Sequence, residues 1–163
     1  MLKSSKTAIE SCLIVATSVM LLCMLGLAIW QVASRYILQS PAIYTEETLR
    51  FTMIWAGLMG SAYAFGTDQH LRLVFLLEKL PPAGRRILQT INGLIVIFFS
   101  MVILLLGGLR MVASGMDQIS PILNIQMGYI YMVLPICAVL ISVLQGLNLC
   151  LLWQEKNATG KPN

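Results

Sequence analysis

Long apolar runs separated by short charged segments dominate the pattern of this 163-residue chain. A helix that crosses the ~30 Å hydrocarbon core of a bilayer needs about 20 mostly apolar residues. Four stretches with at most one charge each approach or exceed that length, at about residues 11–34, 48–67, 87–109 and 129–152. The pattern predicts an all-α integral membrane protein in which residues 1–163 form a single domain of four transmembrane helices.

The composition favours a membrane protein over a soluble one. Hydrophobic residues make up 58% of the chain and charged residues 11%, whereas a soluble domain has about 25% charged residues. A water-soluble fold of this length could not cover so much apolar surface. The net charge of +4 comes from cations that lie between the apolar runs. They form no basic patch interleaved with aromatic residues, so we expect no nucleic-acid partner.

The distribution of Lys and Arg between the predicted loops indicates an orientation. The N-terminus, the loop 68–86 and the C-terminus together hold eight of these residues, and the opposite side holds three. An excess of Lys and Arg marks cytoplasmic segments, so we expect both termini in the cytoplasm. The two groups are Lys3, Lys6, Arg72, Lys79, Arg85, Arg86, Lys156 and Lys161 against Arg35, Arg50 and Arg110.

The loop between the second and third predicted spans mixes apolar and charged residues. Leu71, Val74, Phe75 and Leu77 lie close to charged side chains. Two interpretations remain open for this segment. It forms either a short helix that lies in the membrane interface with its apolar side down, or the frayed end of the second span.

The segment between the first two predicted spans concentrates the candidate functional residues. Arg35 directly follows the first apolar run, where an Arg snorkels towards the headgroups or pairs with an acid. Glu46 and Glu47 are the nearest acids, and Glu46 shares a helix face with Arg50, four residues on. Thr45 suits the N-cap position. These charges form either a polar cluster that fixes helix packing or docks a partner, or ordinary flanking charge with capping chemistry.

Small residues recur at intervals of about four on the second and fourth predicted spans. Such stripes allow helix backbones to approach closely in lipid, within one chain or between subunits. The predicted helix-packing residues are Ala56, Gly57, Gly60, Ser61, Ala64, Ala138, Ser142 and Gly146.

Few residues in the sequence suit catalysis or ion coupling. No carboxylate lies in the middle of a predicted span, where an ion-coupled carrier generally needs an ionisable group. The innermost polar residues of the spans are expected to bond between helices, and Pro135 is expected to kink the fourth helix. These polar residues are Thr17, Ser18, Asn92, Ser100 and Asn148. A single histidine, His70, is a poor basis for a metal site. We therefore expect neither an enzyme nor a bound cofactor.

The order and spacing of several short motifs resemble one family over nearly the whole chain. The chain resembles the small membrane subunit, of DctQ type, of tripartite ATP-independent periplasmic (TRAP) transporters. The motifs are Ser34-Arg35-Tyr36, Ser40-Pro41, Glu46-Glu47 with Arg50, Trp55 with Gly57, His70, Phe75 to Leu80, and Ser120 to Leu123.

This resemblance implies a function and partners. Such systems import organic acids, including dicarboxylates and sugar acids such as sialic acid, across the bacterial inner membrane. A periplasmic substrate-binding protein captures the substrate, and a large multi-span subunit carries the substrate and sodium sites. The small subunit acts as a scaffold for the large one among membrane lipids. The residues expected to hold its fold and its contact with the large subunit are Arg35, Glu46, Glu47, Arg50, Trp55 and His70.

Two other classes compete with a transporter subunit. A self-contained small exporter, acting as a dimer, would want an acid inside the first span, but Glu10 lies only at its cytoplasmic edge. A membrane enzyme or haem-bearing subunit is disfavoured because one histidine cannot supply bis-histidine ligation within the chain.

Overall fold

The computed structural model describes residues 2–40, 42–67 and 82–159, and every named element in these ranges is a helix. A π-helical segment, Ser100–Gly107, joins α3 to α4 without a break. The α-helices are α1 (Leu2–Tyr36), α2 (Ile43–Gly66), α3 (Pro82–Phe99), α4 (Gly108–Gly115), α5 (Met127–Tyr131) and α6 (Val133–Thr159).

Three of the described helical stretches are long and apolar enough to cross a membrane. They are Lys6–Tyr36, Ile87–Gly115 and Met127–Trp153. The helix α2 is not among them, although its 24 residues give it a length of about 36 Å. Its sequence is less apolar because Gly, Ala and Ser alternate with the larger residues and three charges lie near its start. The fold is thus all-helical and suited to a membrane, with three clear spanning candidates.

The helix α6 lies at the centre of the bundle. It packs against α2, against α3 and against the π-helical segment, whereas α1 packs mainly along α2. Val133, Cys137, Ile141 and Leu144 recur every three or four residues on α6, and each is buried. This spacing places them on one helix face, which forms the core with Ala62 of α2.

The spanning stretch Met127–Trp153 is interrupted near its beginning. The helix α5 ends at Tyr131, and α6 begins at Val133. Pro135 has no N–H to offer the carbonyl of Tyr131, and its ring crowds that carbonyl, which accounts for the break. The helix is thus interrupted close to the position at which a kink at Pro135 is expected.

The two ends of α2 define the two ends of the bundle. Near its beginning, the Glu47 carboxylate contacts residues 120–123, which precede α5. At its end, the carbonyl of Gly66 accepts a hydrogen bond of 2.9 Å from Asn148 Nδ2 of α6. We call these the Glu47 end and the Gly66 end. The helix α2 therefore runs in the same direction as α6, with its beginning near the beginning of the α5–α6 stretch and its end near the later part of α6.

Close packing depends on glycines that the small-residue stripes did not include. A Cβ atom on Gly115 would lie 2.9 Å from the backbone nitrogen of Gly128, and one on Gly128 would lie 2.9 Å from the carbonyl oxygen of Val112. Both glycines are thus required where α4 crosses α5. Among the predicted stripe residues, Ala56 and Ala138 are buried. A Cβ on Gly57 or on Gly146 would meet nothing within 4 Å, so neither glycine is required for close packing. The half-buried members are Gly60, Ser61, Ala64 and Ser142.

Candidate functional site

Glu47 is a buried carboxylate in the first turns of α2. Only 5% of the residue is exposed. Burying a carboxylate is costly unless its oxygens accept hydrogen bonds. Glu47 therefore needs polar partners, and it finds them outside its own helix.

Both carboxylate oxygens of Glu47 accept hydrogen bonds from the segment between α4 and α5. The hydroxyl of Ser120 donates to Oε1, and the backbone N–H of Leu123 donates to Oε2 at 2.9 Å. Ser120 is fully buried. Hydrogen bonds to an ionised acceptor are about twice as strong as those between neutral groups, so Glu47 fastens this segment to the start of α2.

The segment that Glu47 holds is a tight turn. The backbone N–H of Ser120 donates to the carbonyl of Ile125 at 2.9 Å, and the N–H of Asn124 donates to the carbonyl of Ser120 at 3.1 Å. Asn124 has φ of 53°, in the left-handed region that Asn tolerates better than most residues. The turn thus places the two donors side by side, in front of a single carboxylate.

Glu46, the neighbouring acid, has a different role. Its Oε1 lies 3.7 Å from Arg50 Nη2, and the two side chains are 63% and 65% exposed. Exposed ion pairs of this kind contribute about 0–1 kcal/mol to stability. The predicted pairing of Glu46 with Arg50 is present, but it is a surface pair one helical turn apart.

Arg35 does not join either acid. It is exposed near the end of α1, and within the described ranges it forms no ion pair. One of the two alternatives for Arg35 is pairing with Glu46 or Glu47. The described part of the fold does not show this pairing. The predicted polar cluster separates into a buried clamp at Glu47, a surface pair at Glu46, and a free guanidinium at Arg35.

The remaining predicted site residues lie elsewhere. Trp55 is half-buried on α2, two turns beyond Glu47. His70, the proposed interfacial helix and the motif from Phe75 to Leu80 fall outside the described residues.

The N-cap prediction for α2 is wrong. The cap is Ala42, and Thr45 lies inside the first turn, where its hydroxyl donates to the carbonyl of Ala42 at 2.6 Å. The helix begins earlier than predicted because Ile43 and Tyr44 continue it ahead of the two acids.

The Gly66 end carries a second group of polar contacts. Asn148 of α6 donates to the Gly66 carbonyl, and Lys6 Nζ lies 3.5 Å from Glu10 Oε1 on α1. Further into the bundle, the Ser100 hydroxyl donates to the carbonyl of Ala138 at 2.9 Å. The prediction of bonds between helices is therefore confirmed for Ser100 and Asn148, but it is wrong for Thr17, whose hydroxyl donates to the carbonyl of Leu13 on its own helix at 2.8 Å.

The described polar groups are arranged for holding helices together rather than for chemistry. Within the described part of the chain, no three His, Cys, Asp or Glu side chains come together as a group that could hold a metal ion. Glu47 accepts from the hydroxyl of Ser120, which is fully buried, and from the backbone N–H of Leu123. The site is a structural clamp that joins α2 to the turn before α5.

Sequence reasoning found the acid of this clamp but not its donors. Ser120 and Leu123 entered only as part of a family motif, without a role. Their signal is weak because they lie 73 and 76 residues from Glu47, and local spacing rules connect only residues three or four apart.

Comparisons with known proteins identify a family for this chain. The family described as "Tripartite ATP-independent periplasmic transporters, DctQ component" matches residues 24–155. A Haemophilus influenzae protein named for the small permease of a TRAP transporter is 29% identical over 113 residues, which cover 69% of this chain and 70% of that protein.

Two further relatives carry a substrate in their names. The sialic acid TRAP transporter small permease protein SiaQ of Vibrio cholerae is 31% identical over 62 residues, 38% of this chain and 36% of that one. The sialic acid TRAP transporter permease protein SiaT of H. influenzae is 27% identical over 115 residues, which are 71% of this chain but 18% of that permease. Since the family match extends over most of the helical bundle, the chain belongs to the DctQ component family of tripartite ATP-independent periplasmic transporters, as a small permease.

Proposed function

We propose that this small permease is the scaffold of a sodium-coupled importer of an organic acid. The observation that carries the proposal is the uncovered apolar surface of α1. In its most apolar 18-residue stretch only 6% of the residues are buried, against 39% for the stretch Met127–Trp153. The buried carboxylate of Glu47 accepts its hydrogen bonds from Ser120 and Leu123 of the same chain. The chain therefore satisfies its buried carboxylate internally and leaves an apolar surface on α1 that a larger subunit and lipid can cover.

The partner is a large multi-span subunit that carries the substrate and the sodium ions. The relative named as a permease, SiaT, contains a stretch that is similar to this chain. That stretch makes up 18% of SiaT. This similarity supports an arrangement in which the two parts work side by side. We expect no cofactor or metal in this chain, and a periplasmic binding protein as the third component.

The substrate class is an organic acid, either a dicarboxylate or a sugar acid. Two of the relatives are named for sialic acid, which supports a sugar acid. In this proposal the side chains that select the substrate belong to the partner proteins. The polar groups at the two ends of α2 already form hydrogen bonds with other parts of this chain.

We also propose that α2 is a fourth span. From Glu47 to Gly66 it rises about 28 Å, close to the ~30 Å of a hydrocarbon core. Glu47 contacts the turn just before the Met127–Trp153 stretch, and Gly66 contacts Asn148 near the end of that stretch. Because α2 lies between α1 and α6, its less apolar residues are partly shielded from lipid.

The four-span arrangement supports a location in the bacterial inner membrane with both termini in the cytoplasm. The three cations expected outside, Arg35, Arg50 and Arg110, all lie towards the Glu47 end. The first span begins with Lys6 at the Gly66 end, in keeping with the excess of cations on that side.

Reconstitution tests the function directly. The chain is purified alone and together with its large subunit, and each sample is placed in liposomes with the binding protein outside. We expect sodium-driven uptake of sialic acid, or of a dicarboxylate, only when both membrane subunits are present.

Uptake or export driven by this chain alone would overturn the scaffold proposal and support the dimeric exporter instead. For that outcome, Glu10→Gln is the informative variant, because Glu10 is the only acid within the first spanning helix. A large subunit that transports fully without this chain would also contradict the proposal.

A further inference from the structure

A groove of about 240 Å³ opens at the Glu47 end of the bundle, between α4 and α5. None of the residues of the Glu47 clamp lines it. The residues that line it are Arg110, Met111, Ser114, Gly115, Gln118 and Tyr131.

Two polar side chains of the groove come from one helix face. Arg110 and Ser114 are four residues apart on α4, and Gln118 follows in the turn after the helix ends at Gly115. The missing side chain of Gly115 brings α5 close, since a Cβ there would lie 2.8 Å from Tyr131 Cδ2. Tyr131 therefore forms the opposite wall.

The chemistry of the lining suits an anion. Arg110 offers a planar fork of N–H donors, which matches the oxygens of a phosphate. The hydroxyls of Ser114 and Tyr131 and the amide of Gln118 are additional donors. No carboxylate lines the groove.

Arg110 is also free to accept an anionic partner. Within the described ranges it forms no ion pair, whereas Arg50 at the same end pairs with Glu46. The exposed residue Asp117 follows seven residues later but makes no ion pair with it.

The depth of the groove is that of the membrane interface. Arg110 lies five residues before the end of the spanning stretch Ile87–Gly115, which is about 7–8 Å along the helix axis. A cation at this depth reaches the headgroup region while its stem, with Met111 beside it, stays against apolar surface.

We propose that this groove binds the phosphate of an anionic phospholipid headgroup, with Arg110 as the main ligand and Ser114, Gln118 and Tyr131 as additional donors. The acyl chains then lie along the apolar surface below the groove. A free phosphate shares the same chemistry, and the experiment has to separate the two sources.

Native mass spectrometry of the purified full-length chain in detergent measures this binding. The probe is dioleoyl phosphatidylglycerol, titrated against the wild type, Arg110→Ala and Arg110→Lys. We expect Arg110→Ala to weaken binding of the first lipid about fivefold, which corresponds to about 1 kcal/mol for one cation near a membrane surface. Arg110→Lys keeps the charge but not the fork, so its affinity should fall between the two.

Two controls separate the groove from general charge attraction. Arg35→Ala removes the same charge at the same end but outside the groove, and it should leave the first lipid bound as in the wild type. The double variant Ser114→Ala, Gln118→Ala keeps every charge and should still weaken binding. Circular dichroism of each variant checks that helix content is retained.

Three outcomes would overturn the proposal. Equal losses in Arg110→Ala and Arg35→Ala would mean non-specific attraction. Displacement of the lipid by inorganic phosphate at similar concentration would mean a site for the free ion. Unchanged lipid binding in Arg110→Ala, together with loss of the large subunit on co-purification, would mean that the groove takes an acidic side chain of a partner protein.

Discussion

The hydroxyl of Ser120 donates a hydrogen bond to the carboxylate of Glu47, 73 residues earlier in the chain. Both residues are buried. The second oxygen of the same carboxylate holds the N–H of Leu123. One acid on α2 therefore fixes the turn that precedes α5, and through it the start of the central helix stretch.

Removing this acid should destabilise the fold far more than removing its neighbour. In Glu47→Ala, the buried Ser120 hydroxyl loses its acceptor, at a cost of about 1–3 kcal/mol, and the N–H of Leu123 keeps only a long bond of 3.4 Å to the Ser120 oxygen. In Glu46→Ala, only an exposed ion pair is lost, worth about 0–1 kcal/mol. Unfolding of the detergent-solubilised protein by increasing SDS fraction, followed by circular dichroism, measures the difference.

The variants Glu47→Gln and Ser120→Ala refine this test. Gln keeps one carbonyl acceptor, so Glu47→Gln should fall between the wild type and Glu47→Ala. Ser120→Ala removes one donor only, and combining it with Glu47→Ala should cost less than the sum of the single changes, because the two residues share one interaction. Equal stability of the Glu46 and Glu47 variants would contradict a clamp at Glu47.

Two serines that donate to the same carbonyl provide a matched pair. Ser100, in the π-helical segment, and Ser142, on α6, both donate to the carbonyl of Ala138, at 2.9 and 2.8 Å. Ser100→Ala removes a bond between helices, for which about 0.6 kcal/mol and at most about 1.7 kcal/mol is expected in a membrane protein.

Ser142→Ala removes only a bond within one helix turn, and alanine is the better helix former there. We expect the free energy of unfolding to fall in Ser100→Ala and to stay within experimental error in Ser142→Ala. The opposite ranking would mean that the Ser100 bond does not hold the two helices together.

The crossing of α4 and α5 should tolerate no side chain at Gly115. Its Cβ would approach the backbone of Gly128 to 2.9 Å, and backbone cannot rotate away as a side chain can. Overpacking of this kind typically costs about 1–3 kcal/mol, so Gly115→Ala should unfold at a lower SDS fraction than the wild type.

Gly107→Ala is the control on the same continuous helix. A Cβ at Gly107 would meet nothing within 4 Å, and alanine favours a helix over glycine. We expect its stability to equal or exceed that of the wild type. A Gly107→Ala variant as unstable as Gly115→Ala would show that any side chain disturbs this helix, rather than one at the crossing.

Arg35 should affect assembly without affecting stability. It is exposed and makes no ion pair in the described part of the chain, so Arg35→Ala removes nothing that holds this fold. If Arg35 contacts the large subunit, as proposed, the yield of co-purified complex falls while SDS unfolding of the isolated chain is unchanged. An unchanged yield would make Arg35 a simple flanking cation.

Much of the helical fold could be predicted from the sequence, because long apolar runs specify helices wherever water is excluded. The runs around α1, α3 and α6 were each found on this basis. The helix α2 was found too, although its apolar character is weaker than that of the others. The π-helical segment from Ser100 to Gly107 had no local signal, since its residues also suit an ordinary α-helix.

The candidate site was predicted less completely, for a physical reason. Spacing along a helix identifies partners within one turn, and it correctly paired Glu46 with Arg50. It could not show that Glu47 points away from both arginines towards Ser120, because the rotation of α2 in the bundle is set by packing. The same limit explains why the stripe around Gly57 was named, while the tight glycines Gly115 and Gly128 were missed.

The distance in sequence between Glu47 and its donors also constrains how the protein is made. A ribosome that adds about 5–20 residues per second needs roughly 4–15 s to synthesise the 73 residues between Glu47 and Ser120. Throughout that interval the newly made carboxylate lacks its native hydrogen-bond donors, so it must stay in water or against the insertion machinery. Helix α2 can therefore settle into its final place only after the third long helix has been inserted.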